Sequence, residues 1–399
     1  MSFIFWSCLG ACLYIFVGYP LLLKLVGAFY RRPVIKRDIA PVVSVIIAAH
    51  NEEQVIAEKL DNLLGSDYPA GRLEILVASD GSTDATETIV GRYAPQGVRL
   101  LILTRCGKLM ALNQAVANAQ GEILVFTDAN TFFEPDAVRR LVSNFADPEV
   151  GGVCGNKQYR RIRSGDSAGA GETLYWTYDK RLKQWESQLG STVAADGAIY
   201  AIRASLFVPL NDLAQADDFA ISAQAVIHGF RLVFEPEATA YESPPTSIAQ
   251  EFWRKVRVTN HSMRAIFNLP ELLNPRRYGW YAAQLFSHKV LRHLASWFIL
   301  AVLASNVVLA NGSRVYHMLL VGQCLFYGGA ATGYVLRHSP WGRSRLFYAP
   351  LYFCLANAAA CLGVLSLLSG KRIAIWQKQR AVLEVAQVSH DLRAECLNR

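Results

Sequence analysis

A chain of 399 residues that is 52% apolar, with a mean hydropathy of +0.19, is too apolar for a wholly soluble enzyme of its size. It is long enough for one soluble domain of ordinary size plus membrane spans. Its net charge of +8 beside such spans points to anionic lipid headgroups as the partner and away from nucleic acid. The eight cysteines form no C-x-x-C pair and no zinc spacing with histidine, so they are read as reduced and largely core residues.

Residues 3–23 carry no charge and match the ~20 residues that cross a bilayer, so they are read as an anchor. The basic residues follow this run, and no cleavage site appears, which disfavours a signal peptide. Arg31, Arg32, Lys36 and Arg37 then place the following domain in the cytosol by the positive-inside rule. From 38 to 245 the pattern is α/β. Buried strands are expected at 42–49, 73–78, 98–103 and 122–127, and helices at 52–64, 84–93 and 108–119. Such alternation predicts a mostly parallel sheet with right-handed crossovers and flanking helices. Residues 159–188 are expected to be helical, and Pro244-Pro245 closes the domain. Residues 246–293 are expected to lie in the membrane interface, led by the basic amphipathic stretch 250–268. Three further spans are expected at 294–310, 315–336 and 346–369, followed by a tail at 370–399. The parity of these spans puts Lys371, Arg372, Lys378 and Arg380 outside, against the charge rule, unless one segment is interfacial or re-entrant.

Candidate chemistry sits at strand ends. Asp80 opens DGSTDAT after the strand LEILVA, where a carboxylate can meet a ribose hydroxyl or a base N–H; the same residues also make an ordinary turn and helix cap. Asp128 and Asn130, at i and i+2 after EILVFT, offer two oxygens to one hard cation such as Mg2+ or Mn2+, although a D-x-N is common in turns. Lys108 begins a helix whose amides can hold phosphate, and as a lone lysine is equally an exposed one. Asp217-Asp218 offers a general base whose pKa burial or like charge would raise, or a helix N-terminal charge. Arg254, Lys255 and Arg257 in WRKVR suit a diphosphate or lipid headgroups. His50, His228 and His261 lack ligand spacing. No G-x-G-x-x-G follows the first strand, which disfavours a dinucleotide enzyme.

Taken together, VSVIIAAHNEE, VASDGSTDAT, RCGKLMALNQAVANAQGEILVFTDAN, GAIYAIR and ADDFAIS resemble, in order and spacing, the membrane-embedded family 2 glycosyltransferases, the group of cellulose, hyaluronan and poly-N-acetylglucosamine synthases. The resemblance runs from about Val42 to Arg257 and implies a GT-A-like fold with an interfacial helix and about four transmembrane helices. It implies inverting, metal-dependent transfer from a nucleotide sugar, a UDP-sugar in that group, to a glycan or lipid-linked acceptor at the inner (plasma) membrane. Asp218 would be the base. Asp128 with a divalent ion, Lys108 and Arg257 would neutralise the leaving diphosphate, Asn130 would complete the metal turn, and Arg254 would assist. Asp80 and the backbone around Ala49 and Glu52 would orient the nucleotide. Polysaccharide-export proteins are possible partners by the same resemblance. Two positions depart from the pattern: Asn130 stands where many relatives have aspartate, and Arg254-Lys255-Val256-Arg257-Val258 keeps the arginine but not the glutamine or tryptophan of Gln-x-x-Arg-Trp. The missing tryptophan leaves single-sugar transfer to a lipid acceptor as the alternative to polymerisation. A non-catalytic membrane scaffold with a degenerate nucleotide fold is the alternative of another class.

Overall fold

The computed structural model describes residues 1–159, 168–211, 216–244, 247–337, 339, 341–342 and 344–370. The expectations at Pro245 and along the tail, including Lys371, Arg372, Lys378 and Arg380, lie outside these residues. In chain order the helices are α1 (Ser2–Phe29), α2 (Ile56–Leu64), α3 (Thr86–Gly91), α4 (Lys108–Ala117), α5 (Ala137–Ser143), α6 (Ala168–Leu189), α7 (Asp217–Ile227), α8 (Ile248–Asn268), α9 (Trp280–Leu309), α10 (Arg314–Val335) and α11 (Arg345–Leu368). The strands are β1 (Val43–Ala49), β2 (Leu73–Asp80), β3 (Val98–Leu103), β4 (Ile123–Asp128), β5 (Thr131–Phe133), β6 (Val150–Tyr159), β7 (Tyr200–Arg203) and β8 (Arg231–Glu242).

All eight strands form one sheet in the order β3-β2-β1-β4-β7-β6-β8-β5. The β3-β2-β1-β4 half is parallel, as the strand–helix alternation requires. The other half is mixed: β7 runs antiparallel to β4 and β6, β8 runs parallel to β6, and β5 pairs antiparallel with β8. The sheet is thus a mixed GT-A-like sheet with flanking helices.

Helices cover both faces, which is why β1 reads as an unbroken apolar run. Val43, Val45, Ile47 and Ala49 pack in one cluster with Ile56, Leu60 and Leu63 of α2 and Leu141 of α5. Ile46 and Ala48, on the opposite face by the two-residue period, pack with Ala111, Leu112 and Ala115 of α4 and with Ile221 of α7. Each fully buried aliphatic side chain contributes ~1.5–3 kcal/mol relative to exposure. Because the crossovers return to the same edge, β1, β2 and β4 end together, and Ala49, Asp80 and Asp128 stand along that edge.

Among the described residues, four helices are long and apolar enough to cross a membrane: α1, α9, α10 and α11. The first departs from α geometry at a π turn over Tyr14–Gly18. The second begins at Trp280, inside the stretch expected to be interfacial, because its charged residues face protein. His288 lies 2.7 Å from Glu186 and 3.2 Å from Asp179, both on α6, and Arg292 lies 3.6 Å from Asp179. Tyr19 of α1 donates to the same Glu186 at 2.6 Å, so three helices meet on one buried polar knot.

A further apolar cluster ties the sheet domain to this helical region, joining Phe219 of α7, Met263 and Ile266 of α8, Tyr281 and Leu285 of α9, and Val364 of α11. The approach of α8 to α11 is closest at Gly363, where a Cβ would stand 2.7 Å from Thr259 Cβ and 2.8 Å from Val256 O. Small residues at such crossings let helix backbones approach. Gly363→Val should therefore force α8 away and destabilise the protein by ~1–3 kcal/mol, the usual cost of overpacking. Thermal unfolding of the purified protein in detergent checks this: a lower Tm is expected, whereas an unchanged Tm would mean the contact is loose.

Candidate functional site

Two turns at the sheet edge brace each other. Asn51, which takes a left-handed conformation (φ 56°), accepts at Oδ1 from Thr83 N at 2.8 Å and donates its own N–H to Ser82 Oγ at 3.2 Å. Glu52 N donates to Thr86 Oγ1 at 2.8 Å, and Ala85 N to Glu53 Oε2 at 3.0 Å. The AHNEE and DGSTDAT segments thus fold as one cross-linked ledge with Ala49, fully buried, at its root.

Asp80 is fully buried, and its carboxylate is spent on the segment that leads into α4. It accepts from Cys106 N at 2.6 Å and from Gly107 N at 3.0 Å, and pairs with Arg105 Nη1 at 2.8 Å. His50 Nδ1 sits 2.9 Å from the Asp80 carbonyl oxygen. In this arrangement Asp80 sets where α4 starts, and therefore where Lys108 points. Nothing in the sequence pattern singled out Arg105.

Lys108 is the centre of the cluster. Its ammonium lies 2.8 Å from Asp128 Oδ1 and 3.0 Å from Asp217 Oδ2, linking the end of β4 to the first turn of α7. Burial alone would lower the Lys108 pKa, but Asp128 and Asp217 outweigh it and push the value well up. Burial likewise opposes ionisation of Asp217, yet Lys108 holds its carboxyl below the usual range. For the neighbouring Asp218 the balance is reversed: burial first, then the Asp217 and Asp196 charges, push it up to about 6 against the opposing pull of Lys108. Gly197 N donates to Asp218 Oδ2 at 3.1 Å, and Phe219 N to Asp218 Oδ1 at 2.7 Å. Asp218 therefore both charges the N-terminal turn of α7 and faces Gly197. A Cβ at Gly197 would stand 3.6 Å from Asp128 Oδ2 and 3.7 Å from Asp218 Oδ2, so the bare backbone there keeps open the space between two carboxylates.

Asp196, beside Gly197, is another carboxylate that sequence reasoning missed. Lys157 lies 3.8 Å away and also pairs with Glu242 at 2.5 Å. Burial would raise the Asp196 pKa, but Lys157 and Lys183 hold it down. Arg257, on α8, interacts electrostatically with Asp128, Asp217 and Glu242; burial first and Arg254 second lower its pKa against those three carboxylates. Arg254 instead forks onto Glu251 of its own helix at 2.8 and 3.0 Å, and Lys255 reaches Glu251 at 2.9 Å. Asn130 is exposed on the two-residue turn between β4 and β5. Among the described residues, no three His, Cys, Asp or Glu side chains are grouped to hold a metal. A hard cation at this turn would find one carboxylate oxygen and one amide oxygen from the chain, which is acceptable donor chemistry provided a bound diphosphate and water complete the shell.

Beneath the turn lies a residue that the helical periodicity concealed. Lys59 falls in register with Ile56, Leu60 and Leu63 on the core face of α2 and is completely buried. Its Nζ donates to Thr127 Oγ1 at 3.0 Å and to Thr131 O, and stands 4.1 Å from the Phe133 ring centroid. Burial pulls its pKa down to about 7 against the opposing pull of Asp128.

Residues 44–207 match the model of glycosyl transferase family 2. A probable glycosyltransferase, YdaM, of Bacillus subtilis is 30% identical over 229 residues, covering 54% of this chain and 53% of that protein. A poly-beta-1,6-N-acetyl-D-glucosamine synthase of Staphylococcus aureus is 26% identical over 236 residues, covering 57% and 56%. The chain therefore spans about half the length of the curated relatives it matches. A mannosyltransferase from Pyrobaculum calidifontis, solved in complex with GDP-Man and Mn2+, shares the fold with a TM-score of 0.69 at 24% identity, over 92% of this chain and 99% of that one.

Asp80→Ala should strand the Cys106 and Gly107 amides and cost ~1–3 kcal/mol for each buried donor left unmade. Chemical denaturation of wild type and variant reads this directly, together with faster amide exchange at 105–108. A variant as stable as wild type would show the Asp80 brace to be dispensable.

Proposed function

Starting from a chain that carries a family 2 glycosyltransferase domain, we propose that this protein transfers a sugar from a nucleoside diphosphate sugar to an acceptor hydroxyl held at a membrane, with inversion at the anomeric carbon. The observation that carries the reading is the shared ammonium of Lys108 between Asp128 and Asp217, with Asp218 beside it held up by burial and like charge. That pairing keeps Asp217 ionised, while burial and like charge leave Asp218 able to take a proton near neutral pH.

In this reading Asp218 accepts the proton of the acceptor hydroxyl as its oxygen attacks the anomeric carbon, and the nucleoside diphosphate departs on the opposite side. Lys108 and Arg257 balance the charge that grows on the departing diphosphate. Asp128 and Asn130 would hold a Mg2+ or Mn2+ ion, which supplies Lewis-acid stabilisation of the same diphosphate when bound. The ledge of Ala49, Asn51 and Glu52 orients the nucleotide, and Asp80 acts through the segment 105–107 that sets Lys108. Arg254 is paired with Glu251 on the same helix and stands second to Arg257 in balancing the diphosphate. The donor is a UDP-sugar by the family resemblance, and a GDP-sugar is the competing donor because the mannosyltransferase of matching fold was solved with GDP-Man. The catalytic domain faces the cytosol in this reading, at the inner membrane.

Two observations favour transfer of single sugars over processive polymerisation. Three amide side chains of the spans are engaged within the bundle: Asn306 and Gln323 meet at 2.8 Å, and Asn357 bonds Phe353 O at 2.8 Å. Such pairs bridge or cap helices and leave a polysaccharide path unlined. In addition Val258 follows Arg257 where the resembled polymer-forming motif has tryptophan, so that aromatic platform is missing at this position.

Asp218→Asn should bind nucleoside diphosphate as wild type does, lose ~10²–10⁴ in transfer rate, and melt higher at neutral pH because a buried, like-charged carboxylate is gone. In wild type the base must be ionised, so kcat/KM should fall by about tenfold per unit as pH drops below about 6 and level off above it. A near-normal rate in the variant, or a flat acid limb, would remove Asp218 from the role. Incubating the full chain in lipid nanodiscs with single radiolabelled UDP- and GDP-sugars, with EDTA and with Mn2+, tests the rest. One added sugar on a lipid acceptor, abolished by EDTA and restored by Mn2+, is expected. A long ladder would establish a polymerase, metal-independent transfer would release Asp128 and Asn130 from metal binding, and no transfer from any donor would favour a scaffold.

A further inference from the structure

The mechanism above makes no use of Lys59, yet its ammonium lies directly beneath the reacting groups. It is a cation in an apolar register position, completely buried, and no ion pair to a carboxylate is among its described contacts. Taking an ammonium out of water costs several kcal/mol even after relaxation, so a methionine or leucine would serve the core better if packing were the only demand. What the ammonium supplies is geometry. Thr127 and Thr131 bracket the turn that bears Asp128 and Asn130, and Lys59 donates to one residue on each side of it. The adjoining Asn62 adds a second clamp on β5, accepting from Phe133 N at 2.7 Å and donating to Phe133 O at 2.8 Å.

The contact at Thr127 goes further. Its hydroxyl accepts from Lys59 and donates to Ala198 O at 2.8 Å. Ala198 follows Gly197, whose N–H is the donor to Asp218 Oδ2. A continuous path of hydrogen bonds and one peptide unit thus runs from the turn of Asp128 through Lys59 and Thr127 to the backbone that holds Asp218. The helix α2 lies on the other face of the sheet from α7, so this buried path is a link between the two carboxylates separate from Lys108 above.

We propose that Lys59 is a positioning residue that fixes the Asp128–Asn130 turn and, through Thr127 and Ala198, sets its distance from Asp218. The inference rests on the glycosyl-transfer reading. It predicts an effect on metal-assisted nucleotide binding that a general loosening of the fold would not reproduce, because the nucleotide ledge built on Asn51, Ser82 and Thr83 makes no contact with Lys59 in the bonds described above.

Calorimetric titration of the full chain in nanodiscs with UDP and with GDP, each with and without Mn2+, provides the test. Lys59→Met should lose ~10–100-fold in the affinity gained on adding Mn2+, with metal-free nucleotide affinity within about twofold of wild type. Should Lys59→Met fail to fold, Thr127 carries the decision: Thr127→Val should lower kcat and the Mn2+-dependent gain, and Thr127→Ser, which keeps the hydroxyl, should restore both. Variants that match wild type in the Mn2+-dependent gain would overturn the inference, as would a parallel loss of metal-free and metal-assisted affinity accompanied by a lower Tm. Equal failure of Thr127→Ser and Thr127→Val would also overturn it. A wild-type chain that binds neither nucleotide under any condition would instead defeat the glycosyl-transfer reading, and this inference with it.

Discussion

Two carboxylates from different parts of the chain share one ammonium, and the organisation of the site follows from that shared contact. Asp128 ends a central parallel strand, Asp217 opens a helix nearly ninety residues later in sequence, and Lys108 joins them at 2.8 and 3.0 Å. Negative charges this close repel unless a cation lies between them. Once Lys108 is committed to Asp128 and Asp217, Asp218 is left with backbone donors and like-charged neighbours. The same arrangement that holds Asp217 ionised therefore keeps Asp218 protonatable. Bare backbone at Gly197 completes the arrangement by leaving the space between Asp128 and Asp218 unfilled.

That contact depends in turn on parts that do no chemistry. Asp80 fixes the start of α4 through the Cys106 and Gly107 amides, so a rotation there would carry Lys108 away from both partners. The α8 helix, which brings Arg257 to the cluster, is seated by the apolar cluster with α7 and α9 and by the close crossing at Gly363 on a membrane-length helix. The sheet domain and the helical region are therefore mechanically continuous. The charged knot of Tyr19, Asp179, Glu186, His288 and Arg292 extends this continuity to α1.

Much of this was legible in the sequence where one physical rule dominated. Strands buried on both faces stand out as β-branched runs, and 98–103 is found with the boundaries expected while 42–49 differs by one residue. The second half of the sheet was hidden for particular reasons. In β6 the glycines dilute the apolar pattern because there is no room for side chains: a Cβ at Gly151 would stand 2.5 Å from Phe230 Cβ. In β5 three residues are too few for any period to register. The start of α9 was misplaced because His288 and Arg292 look like interfacial charge until their partners on α6 are known. Within the site, Asp128, Lys108, Asp217 and Asp218 could be picked out as charges at element ends, and Arg257 as a basic residue on an amphipathic helix. Lys59, Arg105 and Asp196 could not, since each matters through a partner distant in sequence, and Asn130 and Arg254 are less centrally placed than their motifs implied.

We propose that the nucleoside diphosphate lies against Lys108 and Asp128 and faces Asp218. A cryo-electron microscopy structure of the full chain in nanodiscs with Mn2+ and the bound nucleoside diphosphate tests it most directly. The account predicts the diphosphate against Lys108 and Asp128, with Asp218 facing it across Gly197. A nucleotide seated elsewhere, with Lys108 still bound to both carboxylates, would contradict it.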